Sequence, residues 1–372
     1  MEISNPYVIA KYYYLIYLLL VMIMTISKYR IICNYQRYEV ICRKYSYREI
    51  FFFSLFFFIF YGLRPYEGFG DTGTYVASYM RLRDFGVYNA FGADSPSKDI
   101  LFFVYEKFCT KIVDAHLWLA SITFYYIMLM LCGCWKIDSK HGALLMLFCV
   151  GSFEFYTYAV NGIRNGLACS LAILAIAFLS KDKRLYAILL SIIAVGCHKS
   201  VALPVLAMFF SYYIKQPKYM FIFWVCCIFL SVSIGGYIDY FLSSFNFDER
   251  LETNLLQNEA DGLVLSHNFR WDFLLYSFLP VFLGWYTILK RKLYNKTYLL
   301  LLGTYIYSNS FWILSIRAIY SARIAYLSWF IYPIVLAYPI LNFPVFKRNH
   351  SEKVSWILLG HFGFTFLLWL VS

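Results

Sequence analysis

Residues 161–200 read NGIRNGLACSLAILAIAFLSKDKRLYAILLSIIAVGCHKS and contain two apolar runs separated by four charged residues, 181–184. This pattern predicts two antiparallel helices joined by a basic turn. At a rise of about 1.5 Å per residue, Arg164 lies about 25 Å from the turn along the first helix, and His198 lies about 21 Å from it along the second. We therefore expect both side chains to emerge on the same side of a membrane at a similar depth.

The rest of the chain shares the apolar character of this hairpin. Its 372 residues are 61% hydrophobic, 22% aromatic and only 15% charged, whereas a soluble domain is about half apolar and about a quarter charged. An aqueous fold could not hide so much apolar surface. Because no polar or Pro/Gly-rich linker divides the chain, we predict a single multi-spanning membrane domain over residues 1–372.

Long apolar runs recur along the whole sequence. Crossing the hydrocarbon core of a bilayer takes about 20 residues of helix. Twelve candidate spans fit this length, several of them short: 7–27, 47–64, 116–135, 141–160, 164–180, 185–198, 199–214, 219–243, 271–289, 298–316, 321–341 and 354–372. The predicted fold class is therefore all-α, a polytopic integral membrane protein with about 12 transmembrane helices.

The distribution of charge gives the orientation. The net charge is +12, and it is scattered between apolar runs instead of forming one basic face, so we expect no nucleic-acid partner. When alternate loops are assigned to the cytoplasm, beginning with 28–49, most of the 33 Lys and Arg residues fall in them, as the positive-inside rule requires. Residues 65–115 and 244–270 are then external loops.

Six basic residues nevertheless fall at the outer ends of predicted helices. Charges at membrane depth are costly and are candidates for function, although each can also snorkel to the interface or pair with a nearby carboxylate. The six are Arg64, Arg164, Lys199, Arg270, Arg317 and Arg323.

Two external segments add further candidates. Residues 61–75, YGLRPYEGFGDTGTY, contain too many Gly and Pro residues for a regular helix and supply Arg64, Asp71 and Tyr75. This segment fits a ligand-binding loop, and it also fits an ordinary connection. Residues 98–114 have apolar residues along one helical face and charged residues on the opposite face. The segment is too short and too charged to span a membrane, so we predict a short interfacial helix on the outer leaflet.

Several kinds of chemistry find no support in the sequence. The pair Cys132 and Cys134 lacks the second ligand pair of a zinc site, and we predict no metal and no other cofactor. The sequence has no phosphate-binding GxxxxGK[ST] loop, no HExxH helix and no GxSxG elbow. A nucleotide-dependent or metal-hydrolase mechanism is therefore disfavoured.

Three of these motifs together resemble a known family. They are Arg64 with the Gly70-Asp71-Thr72 to Tyr75 loop, the Asn161-x-x-Arg164-x-Gly166-Leu-Ala start of a helix, and the Cys-His198-Lys-Ser200 segment. The combination resembles the EpsG-like Wzy polymerases of bacterial O antigen, capsule or exopolysaccharide. Glu106 and the segment Ser321-Ala-Arg323 are also similar to that family. The similar positions are scattered over residues 60–330, and the similarity is clearest over 155–205.

The resemblance implies a glycosyl transfer at the outer face of the bacterial cytoplasmic (inner) membrane, with the active site facing the periplasm or exterior. The growing glycan would move from undecaprenyl pyrophosphate to the next lipid-linked oligosaccharide repeat unit. A fold similar to the GT-C glycosyltransferases would suit this reaction. The implied partners are the lipid-linked oligosaccharide and membrane lipid, with a chain-length regulator and a flippase in the same pathway.

The resemblance also suggests roles for individual residues. His198 or Asp71 would accept the proton of the acceptor hydroxyl, and Arg164 would stabilise the pyrophosphate. The other predicted contacts to pyrophosphate or glycan are Arg64, Lys199, Arg317, Arg323, Tyr75 and Glu154, of which Glu154 could instead pair with one of the arginines.

Other functions remain open at this point. A lipid-linked oligosaccharide flippase would also be a basic protein of about twelve helices, but its charges should line a central cavity. Another polyprenyl-phosphate-dependent glycosyltransferase or an O-antigen ligase would share the chemistry. A membrane acyltransferase would need a thioester donor reached from the cytoplasm.

Overall fold

A computed structural model describes residues 54–67, 69–86, 99–243, 269–317, 321–343, 345–346 and 350–371. Within these ranges the regular structure is helical and no strand occurs, which agrees with the predicted all-α class. The predicted first span, the start of the second, and residues 244–268 of the predicted external loop lie outside the described residues.

The helices are numbered here in chain order. They are α1 Thr72–Phe85, α2 Ile100–Cys109, α3 Ala115–Ile137, α4 Gly142–Val150, α5 Phe153–Val160, α6 Ile163–Leu179, α7 Arg184–Cys197, α8 Ala202–Tyr213, α9 Pro217–Ser243, α10 Trp271–Trp285, α11 Lys296–Leu314, α12 Ser321–Trp329, α13 Tyr332–Asn342 and α14 His350–Val371. Two π-helical segments, Phe58–Gly62 and Tyr286–Lys290, and a 3₁₀ turn, Lys199–Val201, complete the described elements.

Four helical segments are long and apolar enough to cross a membrane: Ala115–Ile137, Pro217–Ile234, Trp271–Lys290 and Ser321–Asn342. The last of these joins α12 and α13. The bent pair of α4 and α5 makes a fifth if it counts as one span. The chain is thus a multi-pass membrane protein, while the number of about twelve spans stays a prediction.

The predicted continuous helix over 141–160 is corrected by the structure. The axes of α4 and α5 differ by 74° across the break at Gly151 and Ser152. The last helix fills this break, because the Phe362 ring occupies the place that a Cβ on Gly151 would take. Thr365 Oγ1 donates to the carbonyl oxygen of Gly151 at 2.8 Å. Hydropathy alone cannot detect such a break, since both halves are apolar.

The described residues belong to two compact units, one within residues 1–199 and 344–372 and the other within 200–343. In the first unit, α6 packs against both α3 and α7, and α2 packs against α7. The α6–α7 hairpin closely follows the sequence prediction, and Asp182 in its basic turn has a positive φ of 59°. The single domain over residues 1–372 stays a prediction.

In the second unit, α11 packs against α8, α9 and α12. A buried polar network joins four of its helices through Asn309 of α11. Asn309 accepts a hydrogen bond from Trp224 Nε1 at 2.9 Å and donates to the hydroxyls of Ser277 and Ser328, each at 3.1 Å. Such bonds between helices satisfy polar groups that lipid cannot solvate.

The predicted segment 98–114 contains a helix, α2, ten residues long. Its place at the membrane interface stays a prediction. Its buried face carries Phe102, Glu106 and Cys109, while Val104 and Phe108 are more than half exposed. An apolar exposed face suits contact with lipid. The polar side chain of Glu106 is directed into the protein instead.

Candidate active site

Arg64 connects the end of the first π-helical segment to the start of α1. Its Nε donates to Thr72 Oγ1 at 2.9 Å and its Nη1 donates to the carbonyl oxygen of Tyr61 at 2.5 Å. The side chain is almost completely buried, with 2% of its surface exposed. These bonds brace the loop that follows, and direct contact of Arg64 with pyrophosphate stays a prediction.

The braced loop rests on Asn161. The Asp71 amide donates to Asn161 Oδ1 at 3.3 Å, and the Tyr75 hydroxyl donates to the Asn161 carbonyl oxygen at 2.8 Å. Gly70 makes this approach possible, because its φ is +50° and a Cβ there would overlap the Asn161 side chain. Two motifs 90 residues apart thus meet, and the exposed Asp71 carboxylate makes no capping bond to α1.

The first turn of α6 carries Arg164. Gly166 lets this turn pack against α5, since a Cβ on Gly166 would lie 2.5 Å from the carbonyl oxygen of Tyr158. The Arg164 side chain remains 31% exposed. The glycine therefore has a packing role, because it lets the turn that carries Arg164 lie against α5.

Asp99 joins the two ends of the α6–α7 hairpin. Its Oδ2 accepts hydrogen bonds from Arg164 Nη1 at 2.8 Å and from His198 Nδ1 at 2.9 Å. Its Oδ1 accepts the backbone amide of Lys199 at 3.1 Å. The structure therefore brings Arg164 and His198 together, as the helix lengths in the sequence predict, and it does so through one carboxylate.

The position of Asp99 follows from the packing of α2. Asp99 directly precedes this helix, and Leu101 in the first turn contacts α7 at Gly196, where a Cβ would lie 2.5 Å from Leu101 Cδ1. The contact holds Asp99 against the end of α7, from which His198 follows. Sequence reasoning missed Asp99, although an acidic residue directly before an apolar helix was an available signal.

The charge of Asp99 is set by opposing effects. Burial raises the pKa of this carboxyl, but the hydrogen bond from His198 and the charges of His198 and Arg164 outweigh burial and hold the pKa below its usual range. Asp99 therefore stays ionised, with only 5% of its side chain exposed. It supplies a fixed negative charge between an imidazole and a guanidinium.

Glu106 lies two turns further along the same face of α2. Burial raises the pKa of Glu106 to about 7, and the positive charge of Arg164 opposes this only in part. The residue is 2% exposed. A second carboxyl group beside Arg164 therefore titrates near neutral pH. The similarity of Glu106 to a position of the EpsG-like family does not predict this raised pKa.

The cluster can bind an anion and move a proton. With Nδ1 of His198 held by a carboxylate, Nε2 is the ring nitrogen left to accept a proton, and it has no hydrogen bond within the described ranges. The His198 side chain is 20% exposed and so is within reach of a ligand. The Arg164 side chain is 31% exposed, and a guanidinium suits a phosphate oxygen.

Three predicted residues remain to be described. Glu154 is buried in α5, with 1% exposed, and its pairing with an arginine stays a prediction. Arg317 and Arg323 belong to the second unit, where the Arg317 guanidinium lies 5.5 Å from the centre of the Phe269 ring and Arg323 lies in the first turn of α12. Their contact with pyrophosphate likewise stays a prediction.

Comparison with known proteins agrees with the motifs at this site. Neither the curated proteins nor the solved structures provide a match. The model of the EpsG family matches residues 47–372, which is most of the chain and includes every residue of the cluster. Membership suggests, in general terms, a Wzy-like polysaccharide polymerase of the glycosyltransferase type. This multi-pass membrane protein belongs to the EpsG family.

Proposed function

We propose that the protein transfers a growing glycan from undecaprenyl pyrophosphate to the terminal sugar of the next lipid-linked repeat unit, at the outer face of the bacterial cytoplasmic membrane. The observation that supports this reaction best is the cluster in which Asp99 bonds both Arg164 and His198. In this cluster Arg164 is a cation that can bind a phosphate, and His198 is a base whose ring is oriented by Asp99. The chain that carries them belongs to the EpsG family.

The reaction exchanges one bond at the anomeric carbon of the growing glycan. The bond from this carbon to the phosphate oxygen of the lipid breaks, and a bond from the same carbon to the acceptor hydroxyl oxygen forms. Undecaprenyl pyrophosphate leaves with the bonding electrons. The hydroxyl proton passes to His198 Nε2, and Asp99 stabilises the imidazolium that results.

Arg164 acts on the leaving group. Negative charge builds up on the bridging phosphate oxygen as the glycosyl bond breaks, and a guanidinium placed there lowers the barrier. The lipid pyrophosphate carries its own leaving group, so the reaction needs no nucleotide. Asp71, whose backbone amide donates to Asn161 Oδ1, has an exposed carboxylate that in this proposal binds hydroxyls of the acceptor sugar.

The outer location is inferred from charge and from the hairpin. The basic turn 181–184 lies at one end of α6 and α7, and Arg164 and His198 lie at the other. The positive-inside rule assigns the turn to the cytoplasm and the cluster to the outside. A flippase is less well supported, because Asp99, Arg164 and His198 all lie at helix ends and not along a helix.

The test is the surface glycan of cells that lack this gene. The cells are complemented with wild type, Arg164→Ala, His198→Ala or the control Lys181→Ala, at membrane levels matched by immunoblot. Lys181 is an exposed basic residue at the opposite end of the same hairpin. Wild type and Lys181→Ala should restore a ladder of many repeats, and the other two variants should leave single repeats.

Three results would contradict the proposal. A normal ladder in the deletion strain would mean that polymerisation does not need this protein. Repeat units trapped on the inner leaflet would point to a flippase. Loss of a sugar modification with ladder length unchanged would point to an acyltransferase.

A further inference from the structure

One oxygen atom, Asp99 Oδ2, accepts hydrogen bonds from both groups that the proposed reaction needs. Arg164 Nη1 lies 2.8 Å from it and His198 Nδ1 lies 2.9 Å from it. The Asp99 side chain is 5% exposed, so solvent screens these interactions weakly. The negative charge of the carboxylate is therefore divided between a guanidinium and an imidazole.

A third bond fixes the carboxylate independently of both side chains. The backbone amide of Lys199 donates to Asp99 Oδ1 at 3.1 Å. Because this donor belongs to the main chain, it stays in place when a ligand displaces a side chain. Asp99 can thus lose its bond to Arg164 and keep its bond to His198.

An anion bound to Arg164 would change this division. A pyrophosphate attracts the guanidinium by the same bidentate geometry that a carboxylate uses. As Arg164 moves its interaction to the phosphate, the Asp99 charge acts mainly on His198. A carboxylate that is no longer shared makes the neighbouring imidazole a better proton acceptor.

We infer that Asp99 couples binding of the pyrophosphate donor at Arg164 to activation of His198 as the base. Asp99 is a positioning residue, since it acts through these two side chains and not on the substrate. The inference rests on the proposed function. It implies that the base gains strength only after the donor is in place, so an acceptor hydroxyl bound alone is not activated.

The charged groups around the cluster bear on whether Asp99 is the residue that couples Arg164 to His198. Glu106 faces Arg164 from α2 and is only 2% exposed, and within the described residues no hydrogen bond joins it to His198. Among the described residues, the groups that interact with Asp99 or Arg164 include Glu106, Cys197, His198 and the backbone amide of Lys199.

The kinetic test uses Asp99→Asn in the full chain, reconstituted in lipid nanodiscs with lipid-linked repeat units. We expect kcat to fall by about 100-fold, the lower end of what an effective general base contributes. The donor KM should stay level or fall, because Arg164 no longer has a competing carboxylate. The control is Asp272→Asn, which removes an exposed carboxylate bonded to Arg270 in the second unit and should change neither constant.

A spectroscopic test needs no turnover. Histidine is labelled with ¹⁵N in the ring, and His198 is identified among the 6 histidines by its absence in His198→Gln. Farnesyl pyrophosphate is the probe, since it has a prenyl pyrophosphate but no sugar to transfer. We expect it to shift the His198 Nδ1–H proton downfield in wild type and in Asp272→Asn, and to have little effect in Asp99→Asn.

The outcomes separate the inference from the proposed function. The coupling is overturned if farnesyl pyrophosphate leaves the wild-type signal unchanged or shifts it equally in Asp99→Asn. It is also overturned if Asp99→Asn raises the donor KM and leaves kcat intact. Wild-type protein that shows the shift but never extends a lipid-linked glycan would refute the polymerase and retain the coupling.

Discussion

Replacing Gly70 with alanine should release the 66–71 loop from Asn161. The φ of Gly70 is +50°, and a Cβ would overlap Asn161 Oδ1. An alanine in this left-handed conformation costs about 1 kcal/mol, and loss of the bond from the Asp71 amide to the displaced Asn161 side chain costs about 1 kcal/mol more. The sum of about 2 kcal/mol lowers the equilibrium constant for docking of the loop about 30-fold.

Gly86 provides a matched control. Its φ is +65°, but a Cβ there meets no atom of the described part of the chain within 4 Å. Gly86→Ala therefore shares the conformational cost of about 1 kcal/mol and lacks the clash. In an Asn161→Ala background, Gly70→Ala should cost only that conformational term, because the overlapping atom is gone.

The assay is hydrogen–deuterium exchange of the 66–76 segment in nanodiscs, combined with the glycan ladder. The Asp71 amide is bonded to Asn161, so its protection reports docking directly. Gly70→Ala should exchange faster in this segment and shorten the ladder, while Gly86→Ala should do neither. Equal exchange in the two variants would refute the reasoning that Asn161 holds the loop.

Two further predictions concern stability. Because burial raises the pKa of Glu106 from 4.5 to about 7, the folded protein keeps this proton over a range where the unfolded chain has lost it. The free energy of unfolding should therefore fall as the pH rises from about 4.5 to 7, by up to about 3 kcal/mol. Glu106→Gln should flatten this dependence in thermal unfolding at pH 5 and pH 7.5, and an unchanged slope would contradict it. Gly166→Ala would set a Cβ 2.5 Å from the Tyr158 carbonyl oxygen, so α5 and α6 must separate at a cost of about 1–3 kcal/mol. The Tm of Gly166→Ala should therefore fall. The control Gly363→Ala, whose Cβ meets no described atom within 4 Å, should leave Tm level or higher. Equal Tm values for the two variants would contradict the close packing of α5 and α6 at Gly166.

The sequence predicted the hairpin and the meeting of Arg164 with His198 because both depend on local rules. Helix rise and the basic turn place the ends of α6 and α7, and the structure has these helices at Ile163–Leu179 and Arg184–Cys197. The docking of the Asp71 loop on Asn161 links residues far apart along the chain. Hydrophobic periodicity reports local structure and cannot predict such a contact. The motifs similar to the family do include both Asp71 and Asn161.

Other features could not be predicted for definite physical reasons. The apolar stripe of residues 98–114 predicts a helix, but it does not show which charged residue of α2 faces inward. The burial of Arg64 depends on Thr72 and Tyr61 as partners, which no hydropathy scale reports. The break at Gly151 depends on the ring of Phe362, more than 200 positions later.

The filled break between α4 and α5 has a consequence for biosynthesis. His361 Nε2 lies 3.0 Å from the carbonyl oxygen of Phe148 and Thr365 bonds Gly151, across separations of 213 and 214 residues. Until α14 has been translated and inserted, these carbonyl oxygens lack their final partners in the lipid. The packing of α4 and α5 can therefore be completed only after α14 has been synthesised, and a nascent chain stalled before α14 should remain sensitive to quality-control proteases.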